Sequence, residues 1–180
     1  MNRIVWVMGE SATGKATFIR YAAANPTGEL MRRLGYSGSK IIPIVESMTS
    51  GDRDEIVSAV LDLLGRETDA VFLIKWQAVD SICSQHDTLR KLASKTPGVP
   101  GEIILLSVES DILYARVQRK CWWNDPALPY SYYTQERQDE NSAQIKNHAK
   151  ELSGLGFKMI EIDSTEGYRL TSPTSPHSPP

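Results

Sequence analysis

Gly9-Glu10-Ser11-Ala12-Thr13-Gly14-Lys15 is the stretch whose residue types and spacing carry the most chemistry. Glycines at its two ends let a backbone turn tightly enough for successive amides to converge, and the lysine that follows sets a mobile ammonium at the mouth of the turn. A concave run of N–H groups closed by a cation is complementary to the oxygens of a triphosphate. Ala16 and Thr17 come next, so the hydroxyl able to bind magnesium stands one position later than in the commonest form of such a loop. The reading is a triphosphate cradle built from Gly9, Glu10, Ser11, Ala12, Thr13, Gly14, Lys15, Ala16 and Thr17, with Thr17 also a candidate metal ligand.

Further along, Arg116, Arg119 and Lys120 recur at helical spacing on one face, and Arg137, Asp139, Glu140 and Asn141 fall within one polar stretch. Arginine suits phosphate because its planar fork holds two oxygens at once. Glu46 and Asp80 each follow an apolar run, which makes them the best-placed carboxylates for magnesium or for an acceptor hydroxyl.

Those groups need elements to hold them. Apolar runs at 3–8, 40–45, 70–74, 102–108 and 157–162 read as strands, and longer amphipathic stretches between them read as helices, a pattern that predicts a parallel sheet covered by helices. Residues 15–24 form the helix after the Gly-rich turn. Ile56, Val60, Leu63 and Leu64 mark another, with Gly65 as its expected stop. A helix around 87–93, one capped by Ser110 and reaching Lys120, and a polar one over 134–152 complete the set. Thr27 to Arg32 reads as a helix start, with Arg32 and Arg33 as further basic groups near phosphate. An aromatic segment at 121–133, with Trp122, Trp123, Tyr130, Tyr132 and Tyr133, reads as a small lid that packs on the body and excludes water. The Ser/Thr/Pro-rich end, 171–180, reads as a disordered tail after a single domain at 1–170.

The phosphate loop identifies the chain as resembling the P-loop NTPases. Gly14-Lys15-Ala16-Thr17 resembles the G-K-G-T or G-K-D-T/S of adenylate, guanylate and ribose bisphosphate kinases. Residues 137–145 are similar to the R-x-D-D-N-x-x-x-V stretch after the adenylate kinase lid: Arg137, Asp139 and Asn141 match, Glu140 replaces an aspartate, and Lys146 and His148 stand where that family places arginines. The resemblance implies an α/β three-layer fold with a five-stranded parallel sheet in the order 2-3-1-4-5. It also implies an ATP- and Mg2+-dependent kinase acting on a nucleotide or another small metabolite, with Lys15, Arg116, Arg119 and Arg137 around the transferred phosphoryl group. A nucleotide-binding regulatory module without turnover and an acceptor-independent NTPase are the alternatives.

Other function classes find little support. No acid directly ends an apolar strand as in motor ATPases, since residues 70–74 run into Lys75 and Glu109 lies beyond 102–108. No guanine-reading N-K-x-D pattern follows a strand. A net charge of -2, with 20 basic and 22 acidic residues, steers the protein toward neither nucleic acid nor a membrane. Met1-Asn2-Arg3 leads directly into a strand without a signal-peptide pattern, and the apolar runs are too short to span a bilayer, so a cytoplasmic location is expected. Cys83 and Cys121 are far apart, and His86, His148 and His177 have no clustered partners, which argues against disulfide and zinc sites.

Overall fold

The computed structural model describes residues 1–45, 53–76, 82–121 and 134–171. The chain runs β1 (Arg3–Met8), α1 (Lys15–Ala24), α2 (Glu29–Leu34), β2 (Lys40–Ile44), α3 (Arg53–Arg66), β3 (Ala70–Lys75), α4 (Ile82–Lys95), β4 (Gly101–Ser107), α5 (Ser110–Cys121), α6 (Gln135–Gly154), β5 (Lys158–Asp163) and β6 (Arg169–Leu170). The lid segment lies outside the described residues beyond Cys121, as does the tail beyond Thr171.

The strands form one sheet in the order β2-β3-β1-β4-β5-β6. β1 lies at its centre, paired in parallel with β3 (Val5 opposite Leu73) and β4 (Trp6 opposite Ile103). Alternation along a strand sends successive side chains to opposite faces. In β1, Ile4, Trp6 and Met8 therefore enter the core on one side, with Val57 and Val60 of α3, Leu89 and Leu92 of α4, and Ile145, Ala149 and Leu152 of α6. Val5 and Val7 enter the other, with Phe18, Ile19 and Ala22 of α1 and Leu30, Met31 and Leu34 of α2. Both faces being covered, the central strands are continuously apolar. Trp6 meets Trp76 edge to face at 5.0 Å and fixes the packing next to the end of β3.

The expectation of five strands requires correction: the described residues hold six. β6 returns antiparallel along β5, with Ile162 opposite Leu170 and Asp163 opposite Arg169. The return is made by the short segment 164–168, in which Gly167 adopts φ 127, a value other residues rarely take. Gly65 does not stop α3, which runs on to Arg66. Ser110 is likewise not a cap that accepts from its own helix. Its hydroxyl donates to Asp139 Oδ1 at 2.6 Å and accepts from Gln135 Nε2 at 3.0 Å, tying the start of α5 to α6. Thr134 caps α6 instead, its hydroxyl accepting from the Arg137 amide.

Candidate functional site

β1 delivers the chain to the C-terminal edge of the sheet, and the turn there begins at Gly9. A Cβ at Gly9 would stand 2.7 Å from both the Leu106 carbonyl oxygen and the Thr13 hydroxyl, and the residue has φ 147. Glycine is required on both counts. Ala12 and Gly14 then adopt left-handed conformations, φ 65 and 89, on either side of Thr13. Left-handed residues within such a turn curve the backbone into an anion-binding concavity. The Thr13 amide and hydroxyl both donate to the Glu10 carbonyl, at 3.3 and 2.9 Å, while the Glu10 carboxylate accepts from the Ser11 amide at 2.9 Å.

Lys15 is 6% exposed, and its ammonium bends back across the loop to donate to the carbonyls of Gly9 and Glu10, at 2.7 Å each. α1 starts directly behind it. Gly14 is the N-cap residue, no side chain caps this helix end, and its first turn holds no acid. The first amides of a helix have no partner within the helix and carry its partial positive charge, so an end free of a capping or acidic side chain is open to an anion. The Gly14 N–H has no protein acceptor among the described residues. Uncapped amides, a curved loop and a neighbouring ammonium together fit a polyphosphate.

The fit to a divalent cation is looser. Among the described residues no three of His, Cys, Asp and Glu gather into a cluster able to hold a metal. Thr17 is exposed on the first turn of α1 and Ala16 is half-buried. Glu46 and Asp80 lie outside the described residues. Magnesium is commonly held by phosphates, water and one or two protein oxygens, and the loop carries hydroxyls at Ser11, Thr13 and Thr17.

Arg116 is held against the end of β5. Its guanidinium donates to the Ser164 carbonyl at 3.3 and 3.4 Å and to the Thr165 carbonyl at 2.7 Å. Thr165 in turn accepts from the Glu109 amide at 3.0 Å and donates its own amide to Asp163 Oδ1 at 2.9 Å. Hydrogen bonds from the Thr165 side chain and then from its amide, more than the nearby Arg169 and Arg116, hold the Asp163 carboxyl below its ordinary titration range. Ser164, which sequence reasoning passed over, is 7% exposed and bonds to both the loop and β4: its hydroxyl lies 2.8 Å from the Thr13 carbonyl and 3.1 Å from that of Ser107. Tyr168 packs on α1, meeting Phe18 edge to face at 5.1 Å and lying 5.3 Å from Tyr21. Burial pushes its phenol up from the ordinary value.

Arg119 is exposed on α5. Arg137 is exposed on the first turn of α6 and lines a groove of about 440 Å3 together with Thr134, Glu136, Glu140, Asn141 and Gln144. Asp139 is committed to Ser110, Lys146 reaches Glu161 of β5 at 3.4 Å, and His148 is buried. Arg32 pairs with Glu29 at 2.7 Å on an exposed face of α2. Among the described residues no helix is long and apolar enough to cross a membrane.

No protein-family model matches the chain, and no curated protein matches it by sequence. Solved structures do. A chain from the PezAT chromosomal toxin-antitoxin system of Streptococcus pneumoniae is 13% identical over 97% of this chain and 74% of its own length, with a TM-score of 0.55. The cell division protein FtsY from Thermotoga maritima is 16% identical over 96% of this chain and 66% of its own, with a TM-score of 0.41. The likeness to the PezAT chain shows the fold alone: an α/β architecture with a mostly parallel sheet, consistent with a P-loop NTPase fold.

Proposed function

We propose that the protein binds a nucleoside triphosphate, ATP with Mg2+, on the loop from Gly9 to Thr17 and transfers its terminal phosphoryl group to a nucleotide or another small metabolite. The observation that carries the reading is the uncapped start of α1, with the Lys15 ammonium beside it on the loop carbonyls. An anion entering the loop gives Lys15 a charged partner beside the carbonyls of Gly9 and Glu10, and hydrogen bonds between ionised groups are the stronger ones. Magnesium would supply charge neutralisation between the outer phosphates, with Thr17 as its ligand from the loop and Glu46 and Asp80 as further carboxylates. Phosphoryl transfer depends on positioning and on neutralising charge in the transition state; Arg116, Arg119 and Arg137 are the cations assigned to that work. The exposed Arg137 and its polar groove support a place on α6 for the acceptor or the moving group.

A second reading, a nucleotide-binding module without turnover, is favoured by one observation: Arg116 is engaged by the Ser164 and Thr165 carbonyls rather than held out toward a ligand. Calorimetric titration with ATP and Mg2+, followed by a coupled assay over a panel of nucleoside monophosphates and small alcohols, separates the readings. Acceptor-dependent ADP formation is the expected result. Binding without turnover supports the module, and steady hydrolysis without acceptor supports an NTPase. A protein that binds no triphosphate overturns the proposal.

A further inference from the structure

Ser164 has one hydroxyl proton and two carbonyl acceptors in reach, and the shorter contact, 2.8 Å, is to Thr13 inside the phosphate loop. The contact joins positions 151 residues apart and is buried. A trans peptide carries its C=O and N–H on opposite sides. A bond that fixes the Thr13 carbonyl toward Ser164 therefore turns the Gly14 N–H the other way, and that N–H is one of the loop amides with no protein acceptor among the described residues. Ser164 is itself held twice: its amide donates to the Ser107 carbonyl at 2.8 Å, and its carbonyl accepts from Arg116.

We infer that Ser164 is a positioning residue for the phosphate loop, orienting the peptide between Thr13 and Gly14 so that the Gly14 amide is presented to a phosphate oxygen, with Arg116 bracing Ser164 from α5. The inference rests on the proposed triphosphate site. Arg116 thereby acquires a second role, because removing its guanidinium loosens Ser164 and, through it, the loop.

The test is Ser164→Ala, which removes the hydroxyl with little change of volume, alongside Ser164→Thr, which keeps it. Protein carrying 15N-labelled glycine is titrated with inorganic pyrophosphate, and affinity is read from the Gly14 amide signal; calorimetry with ATP and Mg2+ runs in parallel. Ser164→Ala should weaken both ligands about tenfold and shrink the Gly14 response, Ser164→Thr should restore them, and Arg116→Ala should add little once Ser164 is alanine. Wild-type-like pyrophosphate affinity and Gly14 response in Ser164→Ala would overturn the inference, as would a lower melting temperature with unchanged affinity, the mark of a packing role. Those failures leave wild-type binding intact. A wild-type protein that binds neither pyrophosphate nor ATP overturns the triphosphate site and this inference with it.

Discussion

The Tyr36 phenol donates to Glu102 Oε2 at 2.8 Å, joining the loop after α2 to the central sheet at the end remote from the phosphate loop. Tyr36 is fully buried and Glu102 nearly so, while Arg3 at 3.5 Å and Lys158 at 4.0 Å reach the same carboxylate from more open positions. Arg3 also lies 5.8 Å from the centre of the Tyr36 ring. A buried carboxylate persists when it is paired and hydrogen-bonded, and here the phenol supplies the buried bond.

Tyr36→Phe is therefore expected to lower stability by about 1.5–3 kcal/mol, the range for a hydrogen bond to a charged group. The effect depends on pH with a definite sign. Burial, the Glu102 charge and the hydrogen bond to it raise the Tyr36 phenol well above 10.0, against a smaller lowering by Arg3. The unfolded phenol ionises first as pH rises, so stability present below pH 10.0 is lost above it. Urea unfolding of both proteins at about pH 8 and about pH 11 should show their difference narrowing at the higher value. A constant difference would contradict the assignment.

Gly9→Ala should be among the most damaging single changes in the loop. Its Cβ meets a backbone oxygen of β4 at 2.7 Å, which cannot move without disturbing the sheet. A loss of about 2 kcal/mol or more is expected, together with loss of triphosphate binding. Ala12→Gly is the control, because its φ of 65 suits glycine. Relief of strain and the added chain entropy nearly offset each other, so stability should stay within about 1 kcal/mol of wild type. Denaturant curves and calorimetry check both.

Lys15→Met keeps the length of the side chain and removes the ammonium. The fold should survive at a cost of about 1–3 kcal/mol, because a buried and a part-buried carbonyl lose their donor. Triphosphate affinity should fall at least about tenfold as a charge-assisted contact disappears. Unchanged affinity in a folded Lys15→Met protein would show that this ammonium does not meet phosphate.

Arg137→Lys retains the charge and loses the fork. If Arg137 acts on the transferred group from the α6 groove, turnover on the identified acceptor should drop on the order of 10²-fold while ATP affinity barely changes. Turnover equal to wild type would assign Arg137 to a solvated helix face.

Five strands were legible as apolar runs, and each lies within one residue of its expected bounds at either end, because a strand buried on both faces has to be continuously apolar. β6 was not: Arg169–Leu170 has neither an apolar run nor alternation, and it exists through pairing with β5. The Gly-rich turn between β1 and α1 was legible because its glycines are demanded by backbone geometry, which the φ values of Gly9 and Gly14 make explicit. Ser164 was not, since a serine after a strand looks like any loop serine until the fold brings it to Thr13. Ser110 misled for a related reason. A serine before an apolar helix signals a cap, but its hydroxyl went to a helix more than twenty residues away, a choice that local sequence does not encode.

The two margins of the sheet have a consequence for how this molecule meets others. β2 carries Pro43, which has no N–H to offer, and exposes Lys40; on the opposite side β5 is paired only at Ile162 and Asp163, by a return of two residues, one of them the exposed Arg169. Short, charged or proline-bearing borders resist recruitment of a further strand from a neighbouring chain. Growth of the sheet from one molecule into the next is thereby disfavoured at β2 and at the end of β5 that pairs with β6.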